Sequence, residues 1–273
     1  IGLPAEFEVV TVTSATDNFP KPWLTGWAVK MTAERAVDKY RRLGEMIEED
    51  GEKEALAWLK KARYTASGDK ADRGTVVHGA LEAYLHGEEL SKEQIDAELK
   101  ERRVPRALWR STAAMVSALF QFLEDEKPEI VWSEQTVFSR EHHYAGTPDI
   151  VGWMKIDGER KPVIVDVKTS KDIYDDTACQ LIGYARAEFA GMPDGAELPL
   201  LPPIPERIDV GWGEFVPGEL LVPQPIEHGV VVRPKADGTY ESAVFDLTDD
   251  VFDVFLACLK LTTAKAVVQR SRR

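Results

Sequence analysis

Residues 146–168 read GTPDIVGWMKIDGERKPVIVDVK, and the fold turns on how that stretch is read. Two strand-like runs, residues 147–156 and 162–168, flank Asp157-Gly158, a dipeptide that favours the positive backbone angles of a two-residue hairpin turn. In the second run, Val163-Ile164-Val165-Asp166-Val167-Lys168, the strand period of two puts Asp166 and Lys168 on one face and Val167 on the other. Folding about the turn brings Asp149 back towards Asp166, so two carboxylates and an ammonium converge. An acid-x-Lys triplet alone carries little weight: four occur, beginning at Glu98, Asp125, Glu159 and Asp166, about as many as the composition scatters by chance. The one at Asp166 differs in following a buried-strand run. Two carboxylates and a lysine beside apolar sequence are costly to place together unless a cation or substrate compensates them.

Working outward, residues 130–139 read as a further strand, which makes a three-stranded meander. Upstream of Pro128 the pattern is helical. Residues 30–49 form one predicted helix, ended by Gly51. Residues 73–86 form another, with Val76, Val77, Ala80, Leu81, Tyr84 and Leu85 at helical spacing and Gly87 in the C-cap position. Ser91 and Gln94 have the capping-box form and open a charged helix to about residue 103, and a long apolar helix follows from 106 to 127. Downstream, residues 175–190 read as a helix closed by Gly191 and Pro193. The segment 193–225 carries 8 of the 16 prolines, which points to a surface excursion. Residues 230–233 and 240–247 flank Asp237-Gly238 as a second hairpin, and a final helix runs from Thr248, its N-cap, to about 269. The expected fold is α/β: a central mixed sheet, made of the meander, a helix and further strands, flanked by helices. Residues 1–127 would be a helical part packed on a core of residues 128–273, in one structural domain.

The 273 residues, 44% hydrophobic and 30% charged, exclude wholesale disorder, collagen-like repeats and coiled coil. No stretch reaches the roughly 18 apolar residues of a membrane span, and the opening IGLPAEFEVV has neither the basic flank nor the apolar run of a secretory signal, so a cytoplasmic protein without membrane contact is expected. Cys179 and Cys258, in helix-like apolar sequence, read as buried free thiols. A net charge of −13 argues against binding nucleic acid through the overall field. Three local basic groups stand out: Arg102, Arg103, Arg106 and Arg110; Lys60, Lys61 and Arg63; and the tail Arg270, Arg272 and Arg273. Each reads as a solvated face. Trp23, Trp27, Trp58 and Trp109 read as packing residues, and His142 and His143 as a pair in a loop.

Together these features resemble the PD-(D/E)xK nuclease superfamily, and within it the branch of RecB-type and Cas4-type nucleases and phage exonucleases. Gln180 and Tyr184 match that branch's Gln-x-x-x-Tyr element and, four apart, share one helical face. Gly74-Thr75-Val76-Val77-His78 is similar to its Gly-x-x-x-His element, so the resemblance covers about residues 73–184. It implies a restriction-endonuclease-like core and a deoxyribonuclease dependent on Mg²⁺ or Mn²⁺. Asp149, Asp166, His78 and the Val167 carbonyl would hold metal, Lys168 would act with Asp149 and Asp166 in catalysis, and Gln180 and Tyr184 would position DNA. Glu134, on the first strand of the meander, is a further acid where related proteins often have one. The implied partner is DNA, at ends or as single strands, with a recombination protein as a second, in a bacterial or phage-infected cell. Iron–sulfur members carry four cysteines; with two in this chain, no such cluster is expected. No Gly-x-x-x-x-Gly-Lys-[Ser/Thr] loop appears, so no fused motor is expected. A structure-specific endonuclease, an inactive DNA- or protein-binding module and an unrelated metal hydrolase of small phosphoesters stay open as alternatives.

Overall fold

The computed structural model describes residues 9–88, 90–191, 219–221 and 225–270. A short strand β1 (Val10–Thr11) leads into helix α1 (Val12–Thr16), capped by the Thr11 hydroxyl, which accepts from Ser14 N. Helices α2 (Pro22–Asp38), α3 (Tyr40–Glu49), α4 (Glu52–Lys60), α5 (Ala62–Leu85) and α6 (Lys92–Glu101) follow, then a 3₁₀ turn (Arg106–Leu108) and α7 (Trp109–Glu126). The strands then come in: β2 (Glu129–Ser133), β3 (Val137–Ser139), β4 (Tyr144–Gly146), β5 (Ile150–Ile156) and β6 (Glu159–Val167). After α8 (Asp176–Ala185) come β7 (Phe189–Gly191), β8 (Glu219–Leu221), β9 (His228–Pro234), β10 (Tyr240–Asp246) and finally α9 (Asp249–Arg270).

The main sheet is ordered β10-β9-β6-β5-β2. Its β2, β5 and β6 form the expected antiparallel meander, β6 and β9 run parallel, and β9–β10 is a hairpin. Asp157 and Gly158 turn the β5–β6 hairpin at φ +53° and +83°, the left-handed pair that such a tight turn requires. A second sheet is ordered β1-β4-β3-β7-β8. Both faces of β6 are covered, which is why its apolar run is continuous. Val163, Val165 and Val167 join Val77 and Leu81 of α5 and Leu119 and Phe122 of α7 in one core. Ile164 joins Leu181 and Ile182 of α8 and Phe255 of α9 in the other. The α/β class, with helices over a mixed sheet, is as expected. Among the described residues no helix is long and apolar enough to cross a membrane.

Several elements depart from the sequence reading. The predicted helix 30–49 is two, α2 and α3, broken at Lys39 (φ −118°, ψ 29°); helix-forming residues run across the break, so periodicity alone does not show it. The helix carrying His78 begins at Ala62 rather than at residue 73. Residues 130–139 are not one strand: β2 ends at Ser133, Glu134 turns the chain at φ +50°, and β3 joins the other sheet. The helix expected over 175–190 stops at Ala185. Phe189 and Ala190 pair instead with Phe138 and Val137, and the Glu188 carboxylate accepts from Ser139 Oγ and Arg140 N, both at 2.9 Å. Non-local pairing here overrides helical periodicity. Trp23 is 41% exposed and stacks on Tyr174 with ring centroids 4.4 Å apart, so it is a surface residue. Both cysteines are free and buried as expected. The Pro-rich segment lies outside the described residues apart from 219–221 and 225.

Candidate active site

At one end of the meander, strand geometry does the positioning. Lys168 N donates to Val232 O at 2.8 Å and extends the parallel ladder one residue past β6. In a strand the N–H and C=O of one residue point the same way. Val167 N donates to Asp149 Oδ2 at 2.5 Å, so the Val167 carbonyl is presented on the same edge as Asp149. Asp149 stands just ahead of β5, 6% exposed, and Asp166 within β6, 3% exposed. Gly146, ending β4, clears space for the site: a Cβ there would lie 2.5 Å from Tyr184 Cε1 and 2.9 Å from Val12 Cγ2.

Two linked groups of side chains occupy this edge. In the first, His78 Nδ1 lies 3.0 Å from Asp149 Oδ1, and ligand atoms of His78, Glu134 and Asp149 all fall within 4.8 Å of one another. In the second, Lys168 Nζ lies 2.8 Å from Asp166 Oδ2 and donates to Gln180 Oε1 at 2.8 Å. Gln180 Nε2 donates to Asp166 Oδ1 at 3.1 Å and sits 2.9 Å from the Tyr184 hydroxyl. The sequence-derived residues therefore converge, with two adjustments. Glu134 does not stand on a strand; its positive φ after β2 aims it into the His78–Asp149 group. Asp166 faces the lysine and glutamine, on the α8 side, rather than joining the tight trio. Sequence periodicity cannot show either fact, because both depend on a turn and on the placing of α8.

The electrostatics describe a site short of positive charge. Burial raises the Glu134 pKa to about 7, and repulsion from Asp149 adds to it. Burial likewise raises Asp166 to about 6, although the Lys168 charge opposes the shift. Burial works against a charged His78, but its hydrogen bond to Asp149 and the surrounding carboxylates win and its pKa rises. The buried Asp166 Oδ2 takes no aligned hydrogen bond among the described residues and meets the Lys168 ammonium as an ion pair. The imidazole, carboxylates and carbonyl are donors suited to a divalent cation, which would compensate more charge than the contact between His78 and Asp149 does. Burial also raises the Tyr184 phenol, which keeps it a neutral hydrogen-bonding group.

The trio opens beside α5 and α6 into a cavity of about 510 Å³ whose walls include Glu82, Glu98 and Arg102. A search among curated proteins found no match to this chain. The family model of the PD-(D/E)XK nuclease superfamily matches residues 53–197, a span that opens in α4, includes both charged groups and runs beyond β7. Since that span is more than half of the sequence, the chain belongs to the PD-(D/E)XK nuclease superfamily.

Proposed function

We propose that this nuclease hydrolyses phosphodiester bonds of DNA with Mg²⁺ or Mn²⁺, as an exonuclease of the RecB/Cas4-like and phage-exonuclease branch, acting in recombination, repair or phage DNA metabolism. The observation that carries the reading is the hydrogen-bonded chain from Lys168 and Asp166 through Gln180 to Tyr184, beside the His78–Glu134–Asp149 trio. It joins the strand motif to the Gln-x-x-x-Tyr helix face that marks the end-processing branch.

Asp149, Asp166, His78 and the Val167 carbonyl would hold the metal, with Glu134 as a further acid. A divalent ion bound there would polarise the scissile phosphate and lower the pKa of the attacking water. Oxygen donors suit Mg²⁺ or Mn²⁺, and the imidazole shifts the preference towards Mn²⁺. Lys168, held by Gln180 and Asp166, aims its ammonium at the charge that builds on the phosphate in the transition state, or orients the attacking water. Gln180 positions that lysine and Asp166 together, and Tyr184 braces Gln180 from one helical turn away, so the pair orders the site and the strand. We also read the helical part up to residue 127 as a covering of the nuclease core, since α5 brings His78 to Asp149 and α7 packs on β9.

Digestion of end-labelled linear DNA beside closed circular DNA, in Mn²⁺ and in EDTA, tests the function. The expected result is metal-dependent loss of the linear substrate alone. Cleavage of the circle would make the protein an endonuclease of the same fold, and metal-dependent binding without cleavage of either would make it a binding module.

A further inference from the structure

A second cavity, of about 400 Å³, is lined in part by the residues that follow the candidate catalytic lysine in the chain. It is bordered by Thr169, Ser170 and Lys171, which follow Lys168 directly, by Lys70 and Arg73 of α5, and by Arg233 and Lys235 at the end of β9. Five cations thus meet around one carboxylate, Asp237, whose Oδ1 is already taken by Thr239 N at 3.0 Å and Thr239 Oγ1 at 2.7 Å.

Among the described residues, Lys70, Arg73, Lys171 and Lys235 have no ion-pair partner within 4.0 Å. Arg73 donates to Thr112 Oγ1, Ser111 Oγ and Met115 Sδ, all neutral, and burial pulls its pKa down with no carboxylate to restore it. Lys70 sits over the Trp27 ring at 5.1 Å. Arg233 pairs with Glu241 and donates to Lys171 O at 2.6 Å, which fastens the loop after the strand motif, while its buried Nε has no hydrogen-bond partner among the described residues. Lys70 and Lys171 are exposed and Arg73, Arg233 and Lys235 half-buried, so the concave cluster presents a local positive potential that attracts an anion even though the chain as a whole carries −13.

Position then selects the anion. Arg73 precedes His78 by five residues on one helix, about 8 Å at 1.5 Å per residue. Gly74 permits the arrangement, since a Cβ there would meet Thr169 Oγ1 at 3.2 Å. We propose that this cavity is a phosphate site that anchors the nucleic-acid strand beside the reacting phosphodiester. The proposal rests on the nuclease reading for its ligand, and the phosphate is either a terminal monoester or an internal diester of the bound strand.

The test is binding in EDTA, where turnover is absent, so it is read separately from activity. The probes are inorganic phosphate and a short single-stranded oligonucleotide with 5′-phosphate, 3′-phosphate or hydroxyl ends. The Lys171→Ala/Lys235→Ala protein should bind the oligonucleotide roughly tenfold more weakly, and the slope of log affinity against log salt should fall by about 1.4, as for two lost single-strand phosphate contacts. Lys53→Ala, on the exposed side of α4, should change neither. Preference for a phosphorylated end, lost in the double variant, assigns the monoester; equal affinity for all ends with the same loss of slope assigns the diester. Unchanged affinity and slope in a variant with wild-type circular dichroism would overturn the site while leaving the nuclease reading intact. Lysine-dependent binding by a wild type that cuts nothing in Mn²⁺ would keep the site and remove the nuclease reading.

Discussion

The two cavities beside α5 differ in the sign of their charge. The one at His78 gathers Glu82, Glu98 and Glu134, and its cation Arg102 is already paired with Glu98 at 2.6 Å. The one at Arg73 gathers Lys70, Lys171, Arg233 and Lys235 around a single carboxylate. One helix therefore borders an acidic compartment suited to metal ions and a basic compartment suited to phosphate. The net charge of −13 describes neither, because it averages a field that the fold has separated. It also follows that basic runs in the sequence are a poor guide. Arg102, in the most basic run before residue 128, belongs to the acidic cavity, while the basic cavity draws on residues 70, 73, 171, 233 and 235, scattered along the chain.

The comparison predicts that chemistry and strand binding come apart, and the largest effect tests it most sharply. Asp166→Asn keeps the shape and removes a ligand charge, so cleavage should be lost with the circular dichroism spectrum unchanged; activity above about a hundredth of wild type would falsify its assignment to the metal site. Lys168→Ala leaves both carboxylates and should lower the digestion rate by about two decades, the ~3 kcal/mol of a lost donor to transition-state charge, while metal-dependent DNA binding persists. If binding and folding collapse together, Lys168 is a structural counter-charge to Asp166 instead.

His78→Ala acts on the acidic side alone. Mn²⁺ affinity should fall by roughly ten- to a hundredfold, read as a smaller rise of melting temperature on titration with Mn²⁺. Oligonucleotide affinity in EDTA should stay at the wild-type value, and a parallel loss of both would merge the two compartments into one. The smallest effect is expected at Gly74, between them. Alanine gains about 1 kcal/mol of helix propensity but presses on Thr169, so the stability measured by urea unfolding should lie within about 1 kcal/mol of wild type.

Much of this was legible along the chain. Asp157-Gly158 forces a tight turn by backbone sterics, and the alternation after it sends Asp166 and Lys168 to one face. The Ser91 capping box forms as written, the Ser91 hydroxyl accepting from Gln94 N and the Gln94 side chain accepting from Ser91 N. Gly87 ends α5 at φ +76°. Each of these is decided by residues within a few positions of one another, where local sterics, capping and period act without help from the rest of the fold.

What only the tertiary structure decided depends on partners far away in sequence. Residues 189–190 are a strand because β3 offers an edge, against a helical pattern that continues past Ala185. Glu134 reaches His78 and Asp149 because the chain turns at positive φ where β2 leaves the sheet, and nothing in Ser133-Glu134-Gln135 announces that turn. The basic cavity exists because α5, the loop after β6 and the end of β9 are packed together by the apolar core on the Val163–Val167 side of the sheet. Burial is non-directional and brings distant segments together by area, so which charges end up facing one another is settled by packing and cannot be read from the order of residues.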